Sequence, residues 1–201
     1  MPQWVNRILP RYGLLFLVSQ FLVLGNLSTT YAQTILGVRG GANYGSLLAR
    51  TEGQSYDSRI GMWIGTYCEY VTTARTSLQA ELAYTTKAAV REASGEDLVL
   101  SYVALTPVMA RTNVLRIRGF TTGLVYGMVA SFRTNATYER AYKFDLGFMG
   151  GAEIARTFGG RQYPLQVRYE RGFIPIDHGA VMMYNSVTSV LIGFDVFWAR
   201  R

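Results

Sequence analysis

The 201-residue chain is 49% hydrophobic and 16% charged with a formal net charge of +7, a balance that belongs to folded proteins and excludes a disordered chain. Its 21 glycines, 14 tyrosines and 10 phenylalanines, set against the two lysines Lys87 and Lys143, favour glycine-punctuated strands over a helical bundle. The single Cys68 excludes an intramolecular disulfide, and with the single His178 it makes no Cys/His zinc set, so no cofactor is expected and any metal would need carboxylates.

Arg7 and Arg11 precede an apolar run from Leu14 to Leu27, and Ser28 to Ala32 supply a small-residue approach to cleavage. The run is shorter than the roughly 20 residues a spanning helix needs. Thr30 and Ala32 stand at the minus-three and minus-one places of an A-x-A-like site. The segment 1–32 therefore reads as a signal peptide cleaved between Ala32 and Gln33, with 33–201 as the mature domain. A retained membrane anchor is the alternative, disfavoured by length and flanks. No cysteine follows the apolar run, which excludes a lipoprotein. Removing residues 1–32 takes away two arginines and no acid, leaving 18 basic against 13 acidic residues. The arginines are scattered and form no basic run, so nucleic acid is not an expected partner.

From Thr34 onward apolar residues alternate with period two and never with the period of a helix. The first strand runs from about Thr34 to Tyr44, with Leu36, Val38, Ala42 and Tyr44 on one face and Gly37, Arg39, Gly41 and Asn43 on the other. The second, about Arg59 to Val71, sets Met62, Ile64, Cys68 and Tyr70 against Trp63, Tyr67 and Glu69, and the third, through Thr85, sets Leu78, Leu82 and Tyr84 against Gln79 and Glu81. The fourth, about Leu98 to Arg111, is nearly continuous in apolar residues and contains Pro107, so its facing is left open. The fifth, about Ile117 to Phe132, the sixth, about Lys143 to Arg156, the seventh around Leu165 to Phe173 and the eighth around Val190 to Trp198 alternate again. Connections are alternately long (45–58, 87–97, 133–142, 174–186) and short (72–76, 112–116, 157–163), the asymmetry of an eight-stranded antiparallel up-and-down transmembrane β-barrel with both termini on one side.

Periodicity does not say which face is outside, and a soluble lipocalin-like barrel would turn its polar face out. Composition decides for apolar-out. The polar face is rich in glycine (Gly37, Gly41, Gly61, Gly65, Gly123, Gly127, Gly147, Gly151, Gly193), which suits a narrow lumen better than a solvated surface. The apolar face adds Tyr44, Tyr70, Tyr84, Tyr126, Tyr169 and Trp198, rings suited to membrane interfaces. Export without a spanning helix then points to the outer membrane of a Gram-negative cell. The expected partners are outer-membrane lipid, the barrel assembly machinery during insertion and envelope proteins docking on the long loops.

Four segments carry a family resemblance: Gly37 to Asn43 in the first strand, Gln79-Ala80-Glu81-Leu82-Ala83-Tyr84 in the third, Asp145-x-Gly147 followed by Gly151-Ala152-Glu153 in the sixth, and Arg168-Tyr169-Glu170-Arg171-Gly172 in the seventh. With their order and spacing, the mature chain resembles the PorT-like small outer-membrane β-barrel proteins, a porin-family group. Two departures stand out. The proline of the fourth strand, in Tyr102-Val103-Ala104-Leu105-Thr106-Pro107, comes one residue late, and Ala199-Arg200-Arg201 follow the terminal aromatics, leaving Phe197 and Trp198 both open as the assembly signal. The resemblance implies a fold and a compartment; some members are linked to a secretion machinery and many have no assigned role.

Eight charged side chains are expected in the lumen: Arg39, Glu69, Glu81, Asp145, Glu153, Arg168, Glu170 and Asp195. Buried charges must pair. Glu69, Glu81 and Arg39 are expected to form one network, and a hydrogen-bonded structural plug is favoured over a binding or proton-linked site. Asp177-His178 is the sole acid–imidazole pair, but no serine motif accompanies it. Asn135-Ala136-Thr137 matches a glycosylation sequon of little weight here. The expected protein is a non-enzymatic, plugged barrel in a structural or accessory role; the alternatives are a narrow passive pore for small solutes and a barrel enzyme using His178.

Overall fold

The computed structural model describes residues 33–49, 56–91, 95–136, 143–175 and 183–200. The expected signal peptide and its Ala32–Gln33 junction lie across the edge of this range, and Asp177-His178 lies outside it. Eight strands follow in chain order: β1 (Gln33–Ala49), β2 (Tyr56–Val71), β3 (Thr76–Arg91), β4 (Glu96–Ile117), β5 (Phe120–Ala136), β6 (Phe144–Phe158), β7 (Arg161–Gly172) and β8 (Met183–Arg200). Each pairs antiparallel with the next, and β8 pairs with β1 to close the barrel. Closure leaves no strand edge unpaired, the arrangement that lets a sheet stand where water cannot satisfy its backbone.

Following paired residues around the barrel gives its stagger. From Ile35 the path runs through Glu69, Gln79, Met109, Gly127, Met149, Glu170 and Val187 and returns to β1 at Gly45, ten residues from its start. Eight strands with that shear tilt by about 40°. The lumen is then just wide enough to be filled by side chains. Gln33 pairs with Arg200, so both ends of the described barrel lie on the side of the short turns.

The strands run further toward the long connections than the alternation suggests. β3 continues to Arg91 and carries Lys87, which the sequence reading left in a loop, into the barrel wall with its side chain buried. The register of β4 supplies the facing that spacing leaves open. Leu98, Leu100, Tyr102, Ala104 and Thr106 are buried, and then the parity changes to Met109 and Arg111. Thr106 pairs with Glu81 and Met109 with Gln79, so Pro107 and Val108 together oppose Ala80 alone. This is a β-bulge at the residue that has no N–H for the ladder. Its consequence is that Arg111 points inward.

The chain's end carries an irregularity of its own. A register shift sets Leu36 against Phe197 and Gly37 against Asp195, so Val196 is an extra residue in β8. Phe197 then shares the outward face with Leu36, and Val196 and Trp198, expected on that face, are exposed as well. Tyr126, one of the rings expected near an interface, sits instead in mid-barrel between Ala110 and Gly150.

Apolar side chains cover the outside. Leu82, Ile64, Leu105, Leu124, Val190 and Ile192 are all exposed, whereas Glu69, Glu81, Arg111 and Asp195 on β2, β3, β4 and β8 are buried inside. Rings cluster toward the strand ends: Tyr70, Phe120, Phe158 and Tyr163 near the short turns, Tyr44, Phe132, Phe144 and Phe173 near the other rim. The glycines have a local cause. Gly37 lies directly opposite Tyr67, whose ring occupies the place a Cβ at Gly37 would take. An aromatic ring covering a cross-strand glycine is a means of holding register. Gly37→Leu is therefore expected to destabilise the barrel by about 1–3 kcal/mol through overpacking. Urea unfolding followed by heat-modifiable gel migration checks it, and an unchanged midpoint would mean that Tyr67 swings aside freely.

Candidate functional site

The interior of the barrel holds the chain's chemistry. Of the eight charged residues expected in the lumen, Arg39, Glu69, Glu81, Asp145, Glu153, Arg168 and Asp195 are buried, and Glu170 is nearly so with 18% of its side chain exposed. Lys87 and Arg111 join them, for the two reasons given above. The acids Glu69, Glu81, Asp145, Glu153 and Glu170 are met by Arg39, Lys87, Arg111 and Arg168, while Asp195 is held by Tyr67 and the backbone of Gln162.

Nearest the short turns, Arg111 is the hub. Its Nη1 donates to Glu69 Oε1 at 2.9 Å, its Nε to Glu153 Oε1 at 2.7 Å and its Nη2 to Gln162 Oε1 at 3.1 Å. Gln79 Nε2 donates to the other oxygen of Glu69 at 2.7 Å. Beside this group, the Tyr67 hydroxyl donates to Asp195 Oδ1 at 2.6 Å, and the backbone N–H of Gln162 donates to Asp195 Oδ2 at 3.2 Å.

The next layer is built on Glu81. Arg168 grips its carboxylate bidentately, Nη1 to Oε2 and Nη2 to Oε1, both at 2.7 Å. Arg39 Nη1 also donates to Glu81 Oε1. The two guanidiniums lie against rings, Arg39 4.5 Å from the Tyr67 centroid and Arg168 5.5 Å from that of Trp63, so each cation is held partly by a π face. The two layers are connected: Gln166 Nε2 donates to Glu153, and Arg168 Nε donates to Gln166 Oε1 at 2.6 Å. An unbroken path of ion pairs and hydrogen bonds therefore runs Glu69–Arg111–Glu153–Gln166–Arg168–Glu81–Arg39.

Glu69, Glu81 and Arg39 do lie on one network, but the cation that meets Glu69 is Arg111 and not Arg39. Arg39 pairs with Glu81, while Glu69 is satisfied by Arg111 and Gln79. The stagger of the barrel brings β4 across the lumen to Glu69, which alternation along a strand cannot reveal.

Toward the long connections a separate cluster forms. Lys87 Nζ donates to Glu170 Oε1 at 2.5 Å and lies 3.5 Å from Asp145 Oδ2, with the Tyr102 ring centroid 5.0 Å away. Asn185 Nδ2 donates to Asp145 Oδ2 at 2.6 Å. Between this cluster and the Glu81 layer lie Trp63 and Ala83, grouped with Leu191. A second apolar group, Met109, Val125 and Met149, lies beside the Arg111 layer, with Val125 paired to Arg111 and Met109 to Gln79. A small cavity, bounded by Trp63, Thr106, Met149, Glu170 and Ser189, has room for about one water. Paired charges, amides and apolar side chains thus share the described part of the lumen.

The motif segments and this network coincide. Arg39, Gln79, Glu81, Asp145, Glu153, Arg168 and Glu170 in the four segments quoted above point inward and bind chiefly one another and Lys87, Arg111 and Gln166, while Asn43 of the first segment points inward to Thr85 and Ser189.

No family model matches the chain, and no curated protein matches it. Among solved structures the chain is similar to the outer membrane protein OprG from Pseudomonas aeruginosa, at 10% identity and a TM-score of 0.51 over 83% of this chain and 97% of that one. It also matches Ail, the attachment invasion locus protein of Yersinia pestis (10% identity, TM-score 0.42, 82% and 97% covered), and the outer membrane protein AlkL determined in DMPC bilayers (9%, 0.41, 80% and 90%). The likeness to OprG is one of fold.

Proposed function

We propose that this chain is a non-enzymatic β-barrel of the Gram-negative outer membrane, exported by the signal peptide at 1–32, PorT-like in kind, with a side-chain-plugged lumen and a structural or accessory role. The observation that supports this most is the inversion of the surface: exposed leucines, isoleucines, valines and rings outside, and a paired set of charges inside. Water would reject that outer face, and lipid accepts it. A plug is favoured over a channel because the four interior cations pair with five of the six interior acids across the lumen, and a cavity bounded by Trp63, Thr106 and Met149 holds about one water. The coincidence of the four motif segments with the plug supports the PorT-like reading, since the shared residues are those that fill the barrel. Partners in the envelope would dock on the long connections, the end of the barrel whose strands reach furthest beyond the alternation.

In planar bilayers the purified protein should insert without steady conductance, and the triple variant Arg39→Ala, Glu81→Ala, Arg168→Ala, which removes the middle layer, should open one. A stable conductance from the unaltered protein would instead favour the narrow pore.

A further inference from the structure

The exposed charges of the barrel are divided unequally between its ends. Among the described residues, the acidic side chains that are exposed are Asp57 and Asp97, both on the side of the long connections, where Arg59 Nη2 lies 3.4 Å from Asp97 Oδ1. On the side of the short turns the exposed charges are arginines alone: Arg75 in the β2–β3 turn, Arg116 and Arg118 at the β4–β5 turn, Arg156 and Arg161 flanking the β6–β7 turn. β8 ends there as well, at Arg200. The acids nearest that end, Glu69, Glu153 and Asp195, are buried and engaged in the lumen, so they do not neutralise the collar.

The depth of these arginines follows from what they touch. The Arg156 guanidinium carbon lies 5.4 Å from the centroid of Phe120, its direct cross-strand partner and an exposed ring. Arg161 lies 5.8 Å from the Trp198 ring centroid. An arginine laid over a ring at a strand end keeps its stem on the apolar wall and its fork at the boundary between hydrocarbon and water. That boundary is where lipid phosphates sit. The Phe120–Arg156 pair and the Thr157 N–H to Gly119 O hydrogen bond of 2.9 Å place the β4–β5 and β6–β7 turns side by side, so Arg116, Arg118, Arg156 and Arg161 form a continuous group on one sector of the rim.

We propose that this collar binds the phosphate headgroups of anionic phospholipid, phosphatidylglycerol in class, in the leaflet on the short-turn side; the inference rests on the membrane reading above. A phosphodiester offers the planar fork of arginine two acceptor oxygens, and a unit negative charge complements a rim whose exposed charged side chains, among the described residues, are all arginines. Zwitterionic headgroups satisfy the forks less well, because their own ammonium competes for the phosphate.

The test uses the folded protein in phosphatidylcholine bilayers containing either spin-labelled phosphatidylglycerol or spin-labelled phosphatidylcholine, with the motionally restricted fraction read by electron spin resonance. The expected result is a several-fold preference for phosphatidylglycerol at the barrel surface, reduced at high salt and brought to near unity in the variant Arg116→Gln, Arg118→Gln, Arg156→Gln, Arg161→Gln. The variant Arg59→Gln, Arg171→Gln at the opposite rim should keep the preference. Heat-modifiable migration shows that each variant is folded, and if the fourfold variant does not fold, the pairs Arg116→Gln, Arg118→Gln and Arg156→Gln, Arg161→Gln should each remove part of the preference. Restricted lipid with no preference, or a preference that survives loss of the collar, overturns the inference and leaves the membrane reading intact. No restricted lipid with either label overturns both.

Discussion

Replacing Glu81 by leucine is expected to cost about 3–5 kcal/mol, the largest loss of any single change inside the barrel. Glu81 is the common acceptor of two arginines, and the Arg39 and Glu81 side chains are 0% and 2% exposed. Without the carboxylate, Arg39 loses its hydrogen-bonding partner and keeps the Tyr67 ring, and Arg168 keeps Gln166, the Trp63 ring and a long approach to Met149 Sδ. Two like charges would then face one another in a space with almost no water. Arg39→Met is the milder change, because Glu81 keeps its bidentate partner Arg168. The decisive comparison is the triple replacement Arg39→Met, Glu81→Leu, Arg168→Met, which removes all the charges of the layer and should cost much less than Glu81→Leu alone. Urea unfolding in detergent or vesicles supplies all three values. If the triple variant is the least stable of them, the layer contributes by packing and not by charge pairing.

The eight strands, their order and the side on which each residue falls were legible because period two survives wherever a strand is regular: Leu36, Tyr70, Leu82 and Phe194 lie outside and Arg39, Glu69, Glu81 and Asp145 inside, as alternation requires. The reading fails where a ladder is interrupted. The bulge at Pro107 and Val108 inverts the parity of β4, and the extra Val196 shifts the register at the end of β8, so the facing of Arg111 and the outward place of Phe197 were not to be had from spacing. Lys87 was lost for another reason. Lys87 and Ala88 to Val90 continue β3 past the point where the sequence begins to read as a loop, because the wall of a tilted barrel needs length that composition does not announce.

Which acid meets which base lay beyond the sequence altogether. Parity puts Glu69 and Arg39 on the same face of neighbouring strands, but the pairing partner of Glu69 comes from β4, and Arg168 on β7 crosses to Glu81 on β3. Both are meetings across the lumen, fixed by a shear that only the closed ladder defines. The same geometry explains why the charged motifs are spread over the first, third, sixth and seventh strands: a plug built from one sector of the wall could not reach the other side.

The outer face makes the opposite demand, and Val190→Arg tests it. Val190 lies in the middle of β8, exposed, paired with Ala42 on one side and Val167 on the other, both also exposed. If the outer face lies in lipid, an arginine there is far from either rim and should reduce folding stability by about 2–4 kcal/mol, whereas Phe158→Arg, beside the β6–β7 turn, should cost about 0–1 kcal/mol. The difference arises from depth, because a side chain near the rim reaches water by bending and one at the midplane does not. Heat-modifiable migration after refolding into vesicles, with urea titration of the folded fraction, gives both values. Equal tolerance at the two positions, together with a folded state that stays soluble without detergent or lipid, would mean that the apolar wall of this barrel faces something other than a bilayer.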